Sequence, residues 1–287
     1  MAIPTDYIFQ TGTVQKSGVY QFIIDKLKTA GWSDISSNPS TDYVVLKSTG
    51  NTGDKNLLIQ LRPGNASSNA NSTVTTQYCQ MSYRLIDSYT PGAAGVAGTF
   101  GRSSLVWTDL YTCPVPATTQ VPMDAVLNYK YYADAGKLIL ALEYPPALGY
   151  LPSVIYIGQP DSSYVAESGS AGLLVAASAG AAVASSVHID NTPDGSGSVT
   201  APYGIATQCL LPLNNPNNAS KYAFSDIYYG NASEGIRGKL DGIFCMMNKN
   251  ILTGDNVVSG SQTYYALVCQ VQGYSSYPTQ ALLVRIS

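Results

Sequence analysis

Apolar and polar positions along the chain alternate with two periods, and these divide it into one helix and many strands. In SGVYQFIIDKLKTAGW, residues Val19, Phe22, Ile23 and Leu27 recur every three or four positions, which places them on one stripe of an α-helix. Ser17 is the expected N-cap and Gly31 lies past the end, while Lys26 and Lys28 complement the dipole of the C-terminal half. After a polar turn the period drops to two. DYVVLKSTG and NLLIQLRP read as strands joined by a Gly-Asn-Asp loop, a hairpin, and Val74 to Ile86 adds a third strand. One helix on three antiparallel strands is a compact α+β unit. Asn65 to Thr73 reads as an exposed loop, and the charge-free, glycine-rich stretch Tyr89 to Gly101 as a flexible one. SLVWTDLYTC resumes a strand before the proline-punctuated CPVPATTQVP. A boundary near Pro116 then divides the chain into an α+β unit, 1–115, and a β-rich domain, 116–287.

Strands and turns fill the second half. VLNYKYYADAGKLILALEY predicts a hairpin turning at Asp134 to Gly136. Leu138, Leu140 and Leu142 alternate with Ile139 and Ala141, so this strand is apolar on both faces and is expected to be covered on both. PSVIYIGQP is another short strand. AGLLVAASAGAAVASSVHID has the length of a membrane span, but its content is mostly Ala, Ser and Gly. Two buried strands broken near Gly180 are expected, with a small-residue helix as the alternative. One more strand is expected between Tyr203 and Leu213. The C-terminal run then reads as a strand through GKLDGIFCM, a turn at Thr253 to Asn256, a hairpin with a tight Gly-Ser turn, and a last strand, ALLVRI. The expected class is therefore mainly β with an α+β N-terminal unit. Its sheets are antiparallel, and the C-terminal domain is a sandwich or barrel-like form.

Composition narrows the surface. Charged residues make up 11% of the chain, where an ordinary soluble domain has roughly 25%. The 22 tyrosines add flat apolar area with a polar tip, as interfaces do. Both features suit a subunit covered by neighbours or an extracellular polar β protein. A net charge of −3 with scattered Lys and Arg provides no footprint for nucleic acid or an anionic membrane. The start, MAIPTDYIFQTG, lacks the basic and apolar regions of a secretory signal.

The usual chemistry-bearing patterns are missing from the sequence. Cys79, Cys113, Cys209, Cys245 and Cys269 form no CxxC, so zinc is not expected; they read as buried thiols, with a Cys245–Cys269 bridge as the alternative. His188 is the single histidine and no nucleophile elbow accompanies it. The three glutamates, Glu143, Glu167 and Glu234, show no local pairing of the kind a glycosidase needs. DNTPDG at Asp190 resembles a calcium-loop opening, but Ala201 stands where the bidentate glutamate belongs. GNASEGIRGK has the glycines of a phosphate loop without its GK[ST] ending. The expectation is a non-enzyme with no cofactor and no metal.

EGIRGKLDGIFCM and TGDNVVSGSQTYYAL resemble C-terminal segments of virion structural proteins of tailed bacteriophages. The N-terminal order of helix, GW, DYVVLKSTG and GDKNLLIQL is similar to phage tail and neck components. That resemblance implies a structural component of a tail, neck or baseplate, located in the virion, that packs as a symmetric oligomer with copies of itself and neighbouring virion proteins. No catalytic residue comes with it. The alternative is a carbohydrate- or receptor-binding module at a tail tip, where Trp107 or a cluster of Tyr129, Tyr131 and Tyr132 would stack on a host-surface glycan. Glu234, Arg237, Gly238, Gly260 and Tyr264 are the candidate interface residues. Glycines flanking Arg237 permit close approach of a neighbour, and its planar fork suits a carboxylate. A local Glu234–Arg237 pair is the competing reading.

Overall fold

The strand Lys137–Glu143 lies at the centre of the molecule, and its parity explains the layering. In the computed structural model, residues 7–64, 79–101, 107–111, 122–145, 152–159, 161–162, 173–179, 187–189, 225–231, 235–247, 251–268 and 280–287 are described. Leu138, Leu140 and Leu142 face one apolar cluster, while Ile139 and Ala141 face another. The expectation of a strand covered on both faces holds. Its sheet has six antiparallel strands in the order Gln10–Gln15, Val126–Ala133, Lys137–Glu143, Ser153–Gly158, Leu174–Ala179 and Val187–Ile189. The last two, antiparallel to each other, are the strand pair expected around Gly180. Among the described residues no helix is long and apolar enough to cross a membrane.

One face of this central sheet meets the helix Val19–Thr29 and a five-stranded sheet ordered Ser33–Asp34, Val44–Ser48, Leu57–Pro63, Cys79–Leu85 and Thr108–Tyr111. Val19, Ile23, Ile24 and Leu27 of the helix share a cluster with Leu46, Ile59, Leu61 and Tyr83 of that sheet and Leu140 and Ile155 of the central one. The helix is therefore packed between two sheets and does not cap one. Phe22, expected on the stripe, is half-buried beside the Tyr129 ring, and Ile24 completes the buried face. Ser17 does not cap the helix: Lys16–Gly18 forms a 3₁₀ turn, and Gly18 takes the cap position with no side-chain bond. Gly31, at φ +101°, ends the helix as expected.

The other face meets a six-stranded sheet. Asp161–Ser162, Gly235–Met247, Gln280–Arg285, Gln262–Val268 and Asn256–Ser259 follow in order, with Ser225–Asn231 also paired to Gly235–Met247. Ile243, Cys245, Leu267, Leu282 and Val284 pack here against Ile139, Val154 and Tyr156. The expected C-terminal hairpin and last strand are present, and the last strand is interior to its sheet. Every sheet is antiparallel, and among the described residues each is an open ladder.

Both sides of the expected boundary at residue 116 contribute to one sheet and one core. Gln10–Gln15 pairs with Val126–Ala133, and the Trp32 indole donates to the Asp134 carbonyl at 3.3 Å. Asn51 Oδ1 accepts from the Gly136 amide at 3.1 Å, and Ser48 donates to the Ala135 carbonyl. The expected strand between Tyr203 and Leu213 and the loop Asn65 to Thr73 lie outside the described residues.

A bulge marks the place where the strand Gly235–Met247 approaches the central sheet. Between the pairs Ile227–Leu240 and Asp226–Phe244, the long strand inserts Asp241, Gly242 and Ile243. Gly242 has φ +87°, and a Cβ there would lie 2.9 Å from the Ile139 side chain and 3.2 Å from Tyr7. Gly242→Ala is expected to cost about 1–3 kcal/mol through backbone strain and overpacking, read by urea denaturation. A loss below about 0.5 kcal/mol would show that the bulge relaxes freely.

Candidate functional site

Two of the buried charged side chains, Lys130 and Lys137, lie between layers. Lys130 and Glu143 occupy the same face of their hairpin, and their Nζ–Oε1 separation is 2.6 Å. Tyr265, from the facing sheet, donates to Glu143 Oε2 at 2.6 Å and places its ring 3.4 Å below Lys130 Nζ. Burial pushes the Tyr265 phenol well above its ordinary pKa, and the Glu143 carboxylate adds to the shift. Along the same interlayer, Lys137 reaches Asp241 at 3.4 Å and the Tyr7 hydroxyl at 3.3 Å. Burial raises the Asp241 carboxyl above its usual range, and the Lys137 charge opposes that rise. Lys239 bridges Asp226 at 3.6 Å and Asp161 at 3.8 Å.

A third knot corrects the expectation that Tyr89 to Gly101 is flexible. Tyr89–Thr90 and Thr99–Phe100 form a small antiparallel ribbon over the outer face of the five-stranded sheet. Buried Asp42 binds it down, accepting from Tyr89 Oη at 2.7 Å, Ser37 Oγ at 3.0 Å, and the amides of Asn38 at 3.0 Å and Gly98 at 3.0 and 3.2 Å. Burial alone would raise the Asp42 pKa, but these donors, Tyr89 first, outweigh it and hold the carboxyl below its ordinary value. Asn38 Nδ2 donates to the Gly95 carbonyl at 2.8 Å, and the Val96 carbonyl lies 2.9 Å from Ser37 Oγ, where it shares that hydroxyl's one proton with Asp42. Glycines gave this stretch the look of a loose loop because its anchors are remote in sequence.

Arg62 and Arg84 were not distinguished by the sequence. They lie at outward-facing positions of neighbouring strands, with Arg62 Cζ 4.3 Å and Arg84 Cζ 5.4 Å from the Trp107 ring centre. Arg62 Nε donates to Ser82 Oγ at 2.9 Å, and Tyr43, at φ +57°, meets Trp107 edge-on at 5.6 Å. Burial and then the neighbouring Arg62 charge lower the Arg84 pKa. Guanidinium groups beside an indole can receive a carboxylate or phosphate. Arginine contact with Trp107 competes with the sugar stacking anticipated there.

The tyrosine triad does not form an open cleft. Tyr131 is buried and Tyr129 half-buried beside Phe22, on the helix-facing side of the central sheet. Tyr132 points to the opposite face, against Tyr7 and Phe9. Consecutive strand residues diverge, so three such neighbours cannot present one stacking surface.

Of the candidate interface residues, Glu234 lies outside the described residues. Arg237 is the extra residue of a second bulge, between the pairs Gly230–Ile236 and Tyr229–Gly238. Gly238 pairs on both sides, with Tyr229 and Ser162. Gly260, at φ +62°, occupies the first central position of the hairpin turn, where a type II′ loop favours glycine. Tyr264 is fully buried, edge-on to Phe244 at 5.8 Å, with its hydroxyl donating to Gln262 at 2.6 Å; its ring is committed inside the chain. His188 lies on the strand Val187–Ile189, opposite Val175. Cys245 is buried in the inner core, and Cys269 lies outside the described residues. Among the described residues no cluster of three or more His, Cys, Asp or Glu is placed to hold a metal ion.

The hairpin edge stands out by exposure. Asn256–Ser259 is the terminal strand of its sheet, and nearby Leu252 and Val258 are 71% and 69% exposed. No known protein family and no curated protein matches the chain.

Proposed function

We propose that this chain is a non-enzymatic structural component of a phage tail, neck or baseplate, working in the virion as a symmetric oligomer. The observation that carries the reading is the placement of charge. Lys130, Lys137, Arg62 and Asp42 are buried in the body, while two of the terminal strands, QTGTVQ and NVVS, carry no charged residue; the terminal strands Ser33–Asp34, Thr108–Tyr111 and Asp161–Ser162 each carry one aspartate. Exposed sheet edges are ordinarily guarded by charges, proline or bulges. Charge-free edges suit a subunit whose edges are covered by neighbours. The abundance of tyrosine supports the same reading, and the resemblance of the EGIRGKL and TGDN segments to phage virion proteins supplies the particle. In this reading the stacked antiparallel sheets serve as a sandwich-like body that keeps the contacts in register under load.

Mass spectrometry of purified particles, with negative-stain microscopy of the isolated protein, tests this proposal. The chain is expected in the particle and in closed assemblies. A strict monomer that never appears in particles overturns it. Arg237, at its bulge, is expected to serve a junction, so Arg237→Ala should reduce assembly while shifting Tm by only about 1–2 °C. A large fall in Tm with assembly intact would assign Arg237 a role inside the chain.

A further inference from the structure

We infer that the strand Asn256–Ser259 is a self-pairing edge, through which two copies of this chain join antiparallel about a local two-fold axis centred on Val257. The inference rests on the oligomer in the reading above and is independent of the particle.

Backbone phase makes the first argument. Ser259 and Gln262 close a two-residue turn, so they form a hydrogen-bonded pair, and Val257 with Tyr264 forms the next. The Asp255 carbonyl, which accepts from the Ala266 amide at 2.9 Å, keeps the same phase. Asn256 and Val258 therefore turn their N–H and C=O groups away from the partner strand, toward the open side. The strand runs without a bulge, and NVVS contains neither a charge nor a proline to refuse another strand.

Self-complementarity makes the second. An antiparallel copy centred on Val257 sets each outward-bonding Asn256 opposite the outward-bonding Val258 of the other copy. Every outward group of the segment then finds its complement twice over. Val257 meets its own equivalent in a non-hydrogen-bonded pair, where side chains approach most closely. The same register sets Asp255 opposite Ser259 and keeps the two Asp255 carboxylates apart. Asp255 Oδ2 is in any case engaged by the Leu252 amide at 2.8 Å. A register centred one residue earlier would set Asp255 opposite Val257 and bring the two carboxylates to diagonal positions.

Exposure makes the third. Leu252 and Val258 are the most exposed large apolar side chains among the described residues, and both flank this edge. A short edge buries little area, so the dimer is expected to be weak alone and to gain from multiple contacts in an assembly.

A cysteine scan with sedimentation tests the proposal. Facing residues of a non-hydrogen-bonded pair have Cα atoms about 4.5 Å apart, within disulfide reach. Val257→Cys is expected to give an oxidised dimer band, several-fold stronger than the parent or a Thr52→Cys surface control. Val258→Pro removes only an outward N–H, which an edge strand tolerates, and Val258→Lys adds a guarding charge. In the Val257→Cys background each should abolish the band and leave Tm within about 2 °C, and each should remove the concentration-dependent dimer seen by sedimentation. A monomer at every concentration, a band no stronger than the control, or a dimer indifferent to both Val258 changes overturns the self-pairing. A monomer that nevertheless enters particles through this edge also overturns it, since the edge then serves another protein. A solution dimer that never enters particles supports the pairing and removes the virion reading instead.

Discussion

Glu143→Ala is expected to destabilise the protein by about 3–5 kcal/mol, the largest effect of any single change considered, because it leaves a buried ammonium without its counter-charge. Lys130 and Glu143 side chains are only 10% and 14% exposed, and their 2.6 Å contact is roofed by Tyr265 from the facing sheet. The substitution therefore opens a seam between two layers as well as removing an ion pair. At about 2–4 °C per kcal/mol for a chain of this size class, Tm should fall by on the order of 10 °C. Tyr265→Phe removes one hydrogen bond to a charged group and should cost about 1.5–3 kcal/mol. The double change Lys130→Met with Glu143→Leu removes both charges while keeping bulk, and should recover most of the loss. Urea and thermal unfolding of the three variants, beside the unaltered protein, decide the matter. If Glu143→Ala costs less than about 1 kcal/mol, the cluster is solvated in practice and does not clamp the layers.

Asp42→Asn is expected to cost about 1.5–3 kcal/mol near neutral pH and to flatten the acid limb of the stability profile. The carboxylate accepts bonds from Tyr89, Ser37, Asn38 and Gly98 that an amide cannot reproduce with the same strength. Because its pKa in the folded chain is lowered, the unfolded chain binds the proton more readily. The stability contributed by Asp42 is thus fully present above the ordinary carboxylate value, about 3.9, and is lost as pH falls through the lower folded value. The wild-type protein should weaken steeply below about pH 4, and the asparagine variant less so. Amide exchange supplies a local readout: the amides of Gly92, Gly95 and Gly98 should exchange faster in the variant at neutral pH. Unchanged exchange there would show that the ribbon holds without its buried carboxylate.

Local pattern determined a large part of this fold. The three-four spacing in the helix, the Asp134 to Gly136 turn, the double-faced apolar run at Leu138 to Leu142 and the Gly260 hairpin are all readable because each signal lies within about twenty residues. The pairing of Lys130 with Glu143 was legible too, since the hairpin register puts both on one face, but its purpose was not: Tyr265 comes from a strand 122 residues away. The same distance hid the role of Asp42, whose partner Tyr89 is 47 residues along, and made a fastened ribbon look loose. Parity was available for the tyrosines as well. Tyr131 and Tyr132 had to face opposite ways, and only the two covering layers decided that neither face was open.

By itself, then, the sequence determined the period of the helix and the longer strands, the main hairpin turns, the both-sided burial of the central strand and the scarcity of charge. Only the tertiary structure decided that segments on both sides of residue 116 share one core, and that the helix lies between two sheets. It also decided that buried Lys130 and Lys137 meet groups of the facing sheet, and that Asn256–Ser259 is left as an open edge. The physical reason is one of range. Backbone period and turn chemistry are settled between near neighbours, whereas burial, charge pairing and the identity of a sheet edge depend on which remote strand arrives beside which.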